Sequence, residues 1–229
     1  ILNTNSIDLL ISNLLIALNS MILNIFLLSI LTFLLLLSLN KFAVRLKLLD
    51  YPDKRKIHTA PTPYIGGINL GIIYLLVIFL TGELNNELKI ILTFSFVLSL
   101  ISLTDDIYNI NPYIKIILQS LPILIIIYND VYLKDLGEYS FIGILSLGNY
   151  GKIFTFFCLL LLINSFNYSD GIDGLLSTLF INSILVLIFI SVIFLKSEIT
   201  GLLFLIIVPV IIFLFFNFSL FKLPKIFLG

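Results

Sequence analysis

The chain has 229 residues, of which 60% are hydrophobic and only 11% are charged. A soluble domain is about 45–50% apolar and about 25% charged, so this composition excludes a soluble globular protein and indicates a polytopic membrane protein. The net charge of zero gives no support for a nucleic-acid partner, and the single cysteine, Cys158, excludes an internal disulfide.

Seven apolar segments meet or approach the length of about 20 residues that a membrane-spanning helix needs. The sequence therefore predicts an all-α fold, a polytopic helical bundle with about seven transmembrane helices that forms a single domain over residues 1–229. The segments are 21–40, 65–81, 88–104, 114–129, 153–169, 175–195 and 200–220. Residues 7–18 are too short to span alone, and we expect them to lie at the interface or to be the end of another helix.

The hydrophilic connections alternate in charge along the chain. If all seven segments span, the connections 41–64, 105–113 and 170–174 and the tail after 220 share one side. That side carries nine of the 13 basic residues: Lys41, Arg45, Lys47, Lys54, Arg55, Lys56, Lys115, Lys222 and Lys225. The positive-inside rule predicts that this side is cytoplasmic. On the other side, the composition of 130–152 is compatible with a small hairpin.

Two adjacent acids, Asp105 and Asp106, end the third apolar segment. Carboxylates at the edge of the hydrocarbon are costly and usually mark a site for a cation, a proton or a substrate. At a frayed helix end both can reach one cation, although a solvated helix end is the simpler interpretation.

A second acidic cluster follows the fifth apolar segment, where Asn167 precedes Asp170-Gly171-Ile172-Asp173-Gly174. Asp170 and Asp173 share a face if the turn is helical, and carboxylate with carboxamide oxygens suits Mg²⁺. The alternative is an ordinary turn, in which Asp-Gly is common.

A basic run, Lys54-Arg55-Lys56, lies between the first two segments, with His58 close behind it. Such a run can bind a diphosphate or a lipid phosphate. For the cations alone, anchoring against anionic membrane lipid is the preferred explanation, and a lone histidine in a loop is more often incidental.

In this order, the three clusters resemble the polyprenyl-phosphate N-acetylhexosamine-1-phosphate transferase family, from about Leu31 to Gly229. The matching strings are Asp50-x-Pro52-x-x-Arg55-Lys56-x-His58 with Pro63-x-x-Gly66-Gly67, then Asp105-Asp106, then Asn164-x-Phe166-Asn167-x-x-Asp170-Gly171-Ile172-Asp173-Gly174. Their form favours the branch that uses donors like UDP-GlcNAc over the lipid I synthase branch.

The resemblance implies transfer of a sugar 1-phosphate from a UDP-sugar to a polyprenyl phosphate, with Mg²⁺ or Mn²⁺, at the cytoplasmic face of the bacterial inner membrane. It implies that Asp105, Asp106 and Asp170 are catalytic and bind the metal. The substrate-binding residues that it implies are Lys54, Arg55, Lys56, His58, Asn167 and Asp173. A homodimer is compatible with it.

Family members continue after a phrase like Phe227-Leu228-Gly229 with an Asp-x-Gly-Ser motif and a later loop rich in His and Arg. We therefore expect this transferase domain to be truncated at both ends, and the 229-residue chain to be inactive alone. An ion-coupled transporter and an inactive lipid-phosphate-binding relative stay open as alternatives. Transporter acids lie at the midplane more often than at helix ends, and an assay with UDP-GlcNAc and undecaprenyl phosphate separates all three.

Overall fold

The structure, a computed structural model, describes residues 4–46, 48–51, 61–81, 84–141, 143–169, 171–194 and 197–228; for 4–18 and 197–198 only the backbone is described. This part of the chain is built mainly from α-helices, so the predicted helical membrane fold is confirmed. The helices are α1 (Thr4–Ala43), α2 (Gly66–Thr81), α3 (Asn86–Tyr108), α4 (Pro112–Tyr128), α5 (Gly151–Ser169), α6 (Leu175–Ile193) and α7 (Ser197–Asn217).

Five helical segments have the length and composition to cross a membrane: 19–43 within α1, 86–108, 148–169, 175–193 and 199–217. Helices α2 and α4 are apolar but shorter, with 16 and 17 residues. At about 1.5 Å per residue they extend about 24 and 26 Å, close to the hydrocarbon thickness of about 30 Å. Large apolar side chains cover the outer surfaces, as expected for helices that face lipid.

Helix α1 is longer than the sequence segmentation suggested. It runs without interruption over 40 residues and joins the short apolar stretch 7–18 to the predicted span 21–40. No proline or glycine occurs between Thr4 and Ala43, so nothing in the backbone chemistry stops the helix at the polar residues Asn19 and Ser20.

Helix α7 lies at the centre of the bundle and packs against α1, α2 and α6. Phe213 and Phe216 near its end are fully buried, with Leu36 of α1 and Ile65 just before α2 in the same core cluster. This packing fixes the end of α7 beside the start of α2, at the end of the bundle where the predicted site lies.

Two small antiparallel sheets complete the fold. Strands β1 (Leu49–Asp50) and β2 (Thr62–Pro63) close the base of the basic loop. Strands β3 (Asp135–Tyr139) and β4 (Gly143–Ser146) form a hairpin between α4 and α5, which confirms the predicted hairpin.

After α7 the chain turns back across the end of the bundle as a short extended segment, residues 223–228, which we call the strap. Its Phe227 N–H donates to the carbonyl of Pro63 over 2.8 Å, and the N–H groups of Gly66 and Gly67 donate to the carbonyls of Phe227 and Leu228. A Cβ atom at Gly66 would lie 2.9 Å from the Phe227 carbonyl oxygen and would overlap the Phe213 ring. Glycine therefore lets the strap approach the start of α2.

Candidate active site

The described acidic residues of the predicted site lie at one end of the bundle. Asp105 and Asp106 occupy the last turn of α3, and Asp173 lies in the turn that precedes α6. The strap and the β1–β2 pair lie at this same end. Asp170 falls outside the described residues, as do Lys54, Arg55, Lys56 and His58.

Asp105 pairs with Lys115. Helix α3 ends at Asn109, which adopts a left-handed conformation, and Asn111 caps α4 by accepting from the N–H of Tyr113. This tight connection places Lys115, one turn into α4, with its Nζ 2.6 Å from Oδ2 of Asp105. Both side chains are about four-fifths buried. The ammonium charge of Lys115 therefore neutralises the carboxylate charge of Asp105 in a region where water screens charges poorly.

Sequence reasoning used Lys115 only to predict sidedness and missed this pairing. A signal was present in the chain. The connection is short: Lys115 lies ten positions after Asp105, just beyond a turn that ends at the helix-starting Pro112.

Asp106 lies beside the base of the basic loop. Its Oδ2 atom is shielded from solvent. Its carboxylate is close enough to interact electrostatically with the hydroxyl of Tyr64, a residue that is 9% exposed. Burial raises the pKa of the Tyr64 hydroxyl, and the charges of Asp106 and Asp50 raise it further. Tyr64 is therefore a neutral phenol at physiological pH, able to donate a hydrogen bond.

The position of Tyr64 brings two of the predicted clusters together. Its N–H donates to the carbonyl of Leu48, next to the β1–β2 pair that holds both ends of the loop 51–61. The basic run lies within that loop and outside the described residues. The ends of this loop are thus held beside the acidic pair of α3, an arrangement that sequence order alone did not establish.

The turn before α6 is held from two directions. Lys225 of the strap places its Nζ 2.5 Å from Oδ2 of Asp173, in a half-exposed ion pair. Gly174, with φ of +73°, donates its N–H to Oδ1 of Asn217 over 2.6 Å. Sequence reasoning gave no role to Asn217, since nothing in the local pattern shows that the end of α7 meets this turn.

A further contact links α4 to α5. The side chain of Asn164 donates to Oε1 of Gln119 over 3.1 Å, and Gln119 is buried. This hydrogen bond between two polar side chains holds α4 against α5. Asn167 lies one turn further along α5 with an exposed side chain.

The chemistry of these oxygens fits a hard divalent cation, because carboxylates and carboxamides are the ligands that Mg²⁺ prefers. Among the described residues, no group of three or more His, Cys, Asp and Glu side chains lies close enough to hold a metal ion. A site with three such side chains would therefore need Asp170 or another residue that the structure does not describe.

Comparison with known proteins places the sequence in a family. Residues 88–229 match the family described as glycosyl transferase family 4, and this segment includes α3 to α7 and both acidic clusters. A relative from Yersinia pestis is 30% identical over 141 residues, and one from Escherichia coli O157:H7 is 32% identical over 144 residues. A relative from Pasteurella multocida is 35% identical over 124 residues.

All three relatives are named undecaprenyl-phosphate alpha-N-acetylglucosaminyl 1-phosphate transferase. The matches to the Yersinia and E. coli proteins cover 61% of this chain, and the Pasteurella match covers 54%. The chain spans less than two-fifths of these relatives, with 39%, 38% and 35% of their lengths matched.

Proposed function

Because the chain belongs to glycosyl transferase family 4, we propose that it takes part in transferring a sugar 1-phosphate from a UDP-N-acetylhexosamine to a polyprenyl phosphate. UDP-GlcNAc is the proposed donor and undecaprenyl phosphate the proposed acceptor, as in the names of its relatives. The reaction takes place at the cytoplasmic face of the bacterial inner membrane.

One observation carries this proposal. The acidic pair of α3, the base of the basic loop and the Asp173 turn lie at one end of the helical bundle. A lipid phosphate reaches that end from the bilayer, and a water-soluble nucleotide reaches it from the aqueous side. Phosphoryl transfer depends mainly on positioning and charge neutralisation, which clustered acids and bases provide.

In the proposed reaction, an oxygen of the polyprenyl phosphate attacks the β-phosphorus of the UDP-sugar. A new P–O bond forms there, and the bond from the β-phosphorus to the bridging oxygen breaks. UMP leaves with the bridging oxygen and its electron pair, and the other product is a polyprenyl-diphospho-sugar. The step exchanges one P–O bond for another, and no oxidant or reductant is involved.

The residues divide by their place in the site. Asp105 and Asp106, in the last turn of α3, organise the acceptor phosphate, while Lys54, Arg55, Lys56 and His58 bind donor phosphates. Asn167 and Asp173 lie on the nucleotide side. Asp105, Asp106 and Asp170 would hold Mg²⁺ or Mn²⁺, which when bound supplies neutralisation of phosphate charge.

The test is a transfer assay with radiolabelled UDP-GlcNAc, undecaprenyl phosphate and Mg²⁺. It uses membranes with the chain itself and with an extended protein, in which the E. coli relative's region beyond the match follows Gly229. We expect a lipid-linked labelled product and UMP from the extended protein, both lost on chelation. Absence of product with every UDP-N-acetylhexosamine, together with ion flux in proteoliposomes, would favour the transporter alternative.

The proposed orientation of the chain in the membrane leads to a separate prediction. After Cys158→Ser, single cysteines at 54, 106, 170 and 222 should resist a membrane-impermeant thiol reagent added outside intact cells. Cysteines at 83, 134 and 196 should react. The reason is the excess of basic residues on the side of the acidic clusters. Labelling at position 106 from outside would contradict both the orientation and the proposed access to cytoplasmic UDP-sugars.

A further inference from the structure

Asn217, the last residue of α7, uses both ends of its side-chain amide to join two separate segments of backbone. Its Oδ1 accepts from the N–H of Gly174 over 2.6 Å, and its Nδ2 donates to the carbonyl of Ile226 over 2.9 Å. The side chain is 5% exposed. A buried side-chain amide stabilises the fold only while its oxygen and its nitrogen are both hydrogen-bonded. The two backbone segments that Asn217 bonds are therefore held in a fixed position relative to each other.

The segments that Asn217 joins are the turn carrying Asp173 and the strap. Two neighbouring contacts reinforce the connection: the ion pair between Asp173 and Lys225, and the ring of Phe218, which packs against Gly174. The strap in turn bonds to Pro63, Gly66 and Gly67 at the end of the basic loop. Asn217 therefore lies at the point where the acidic turn and the basic loop are connected.

Helix capping alone does not account for this arrangement. Gly174 is 43 residues away in sequence and belongs to the turn before α6, so the bond to it does nothing for the end of α7. The carbonyl of Ile226 lies in the strap, beyond the turn that ends α7.

We infer that Asn217 is a positioning residue that sets the place of Asp173 relative to the strap, and through the strap relative to residues 63–67, which follow the basic loop. This inference rests on the proposed function for its kinetic consequences. Asp105, on the acceptor side, is held separately by the α3–α4 turn and Lys115. Asn217 should therefore affect the donor side of the site and leave the acceptor side nearly unchanged.

The first variant is Asn217→Leu in the extended protein, since leucine has a similar shape and no hydrogen-bonding groups. We expect the KM for UDP-GlcNAc to rise about tenfold or more, because two bonds to the backbone are lost. The KM for undecaprenyl phosphate should stay within about twofold of the parent value, because the Asp105–Lys115 pair lies apart from the lost bonds. Equal changes in both KM values, or none in either, would overturn the inference.

The second variant, Asn217→Asp, covers the case in which leucine prevents folding. A protonated carboxyl group can accept from Gly174 and donate to Ile226, whereas the ionised form faces the Ile226 carbonyl with no proton to donate. Activity relative to the parent protein at each pH should therefore recover as the pH falls. A ratio independent of pH would contradict the two-bond role.

A third measurement does not require activity. With Cys158 replaced by serine, cysteines at 173 and 225 should be joined by a short bis-methanethiosulfonate reagent, and Asn217→Leu should lower the yield severalfold. Unchanged yield would overturn the inference even if the protein proved to have no transferase activity. If the parent protein showed no transfer activity, but Asn217→Leu still lowered the cross-linking yield, only the proposed function would be contradicted.

The matched control is Asn129→Leu. Asn129 also follows the end of a helix, but its amide donates to Ile125 of its own helix α4, at the opposite end of the bundle. This variant should leave both KM values and the cross-linking yield near the parent values. A change equal to that of Asn217→Leu would show that the effect is a general consequence of losing a helix-end asparagine.

Discussion

Replacing Asp106 by asparagine in the extended protein should lower turnover by about 10² or more, since under the proposed function it removes a charge that organises phosphate or metal in the transition state. The same loss is expected for Asp105→Asn and Asp170→Asn. Asparagine keeps the size of the side chain, so the amount of inserted protein should change little for the Asp106 and Asp170 variants. The measurement is the rate of UMP release at saturating UDP-GlcNAc and undecaprenyl phosphate.

The control for this series is Asp130→Asn. Asp130 is likewise an acid just beyond a helix end that pairs with a lysine, Lys152, but it lies at the other end of the bundle and is largely exposed. Exposed pairs of this kind contribute about 0–1 kcal/mol, so the variant should keep nearly full turnover. Near-normal rates for all three predicted catalytic acids would refute their assignment.

The Asp105 variant has a second consequence that distinguishes it from Asp106→Asn. Removing the carboxylate leaves Lys115, which is mostly buried, facing a neutral amide. Uncompensated buried charge is costly, so some loss of stability accompanies the loss of turnover. Asp105→Asn combined with Lys115→Met should restore the stability without restoring the rate.

The helices could be predicted well because the hydrocarbon environment demands long apolar segments. The predicted segments 153–169 and 175–195 differ by only a few residues from α5 (Gly151–Ser169) and α6 (Leu175–Ile193). Apolar content alone did not reveal the full extent of α1, because the helix continues through polar residues that interrupt the hydrophobic run without breaking the backbone.

The acidic residues could also be located from the sequence, because charge beside an apolar segment is rare and stands out. The residues that pair with this acidic turn could not be predicted in the same way. The pairing of Asp173 with Lys225 and of Gly174 with Asn217 depends on how α6 packs against α7 and on the path of the strap. These contacts join residues 43 to 52 positions apart, and no local periodicity encodes such separations.

Tyr64 is another residue whose neighbours could not be predicted from the sequence. In the sequence it is one residue of a proline- and glycine-rich entry to α2. In the structure, burial and the neighbouring carboxylates Asp106 and Asp50 raise the pKa of its hydroxyl, which links the loop base to the acidic pair. Neighbouring charges of this kind become visible only when α2 and α3 are packed side by side.

The two glycines of the Asp-Gly-Ile-Asp-Gly motif should respond very differently to alanine. Gly174 has φ of +73°, and a Cβ atom there would lie within 2.8 Å of three ring atoms of Phe218. The left-handed backbone costs about 1–2 kcal/mol for a residue with a side chain, and overpacking costs about 1–3 kcal/mol. Gly174→Ala should therefore lower the midpoint of thermal unfolding in detergent by several degrees.

Gly171 provides the comparison within the same turn. The nearest atom to a Cβ at this position is the carbonyl oxygen of Tyr168, 4.0 Å away, and its φ is not in the left-handed region. Gly171→Ala should leave the unfolding midpoint close to that of the parent protein, because alanine meets no steric barrier there. Equal midpoints for the two variants would mean that Phe218 does not enclose Gly174, and that the turn is not held against the end of α7 in the way that the position of Asp173 requires.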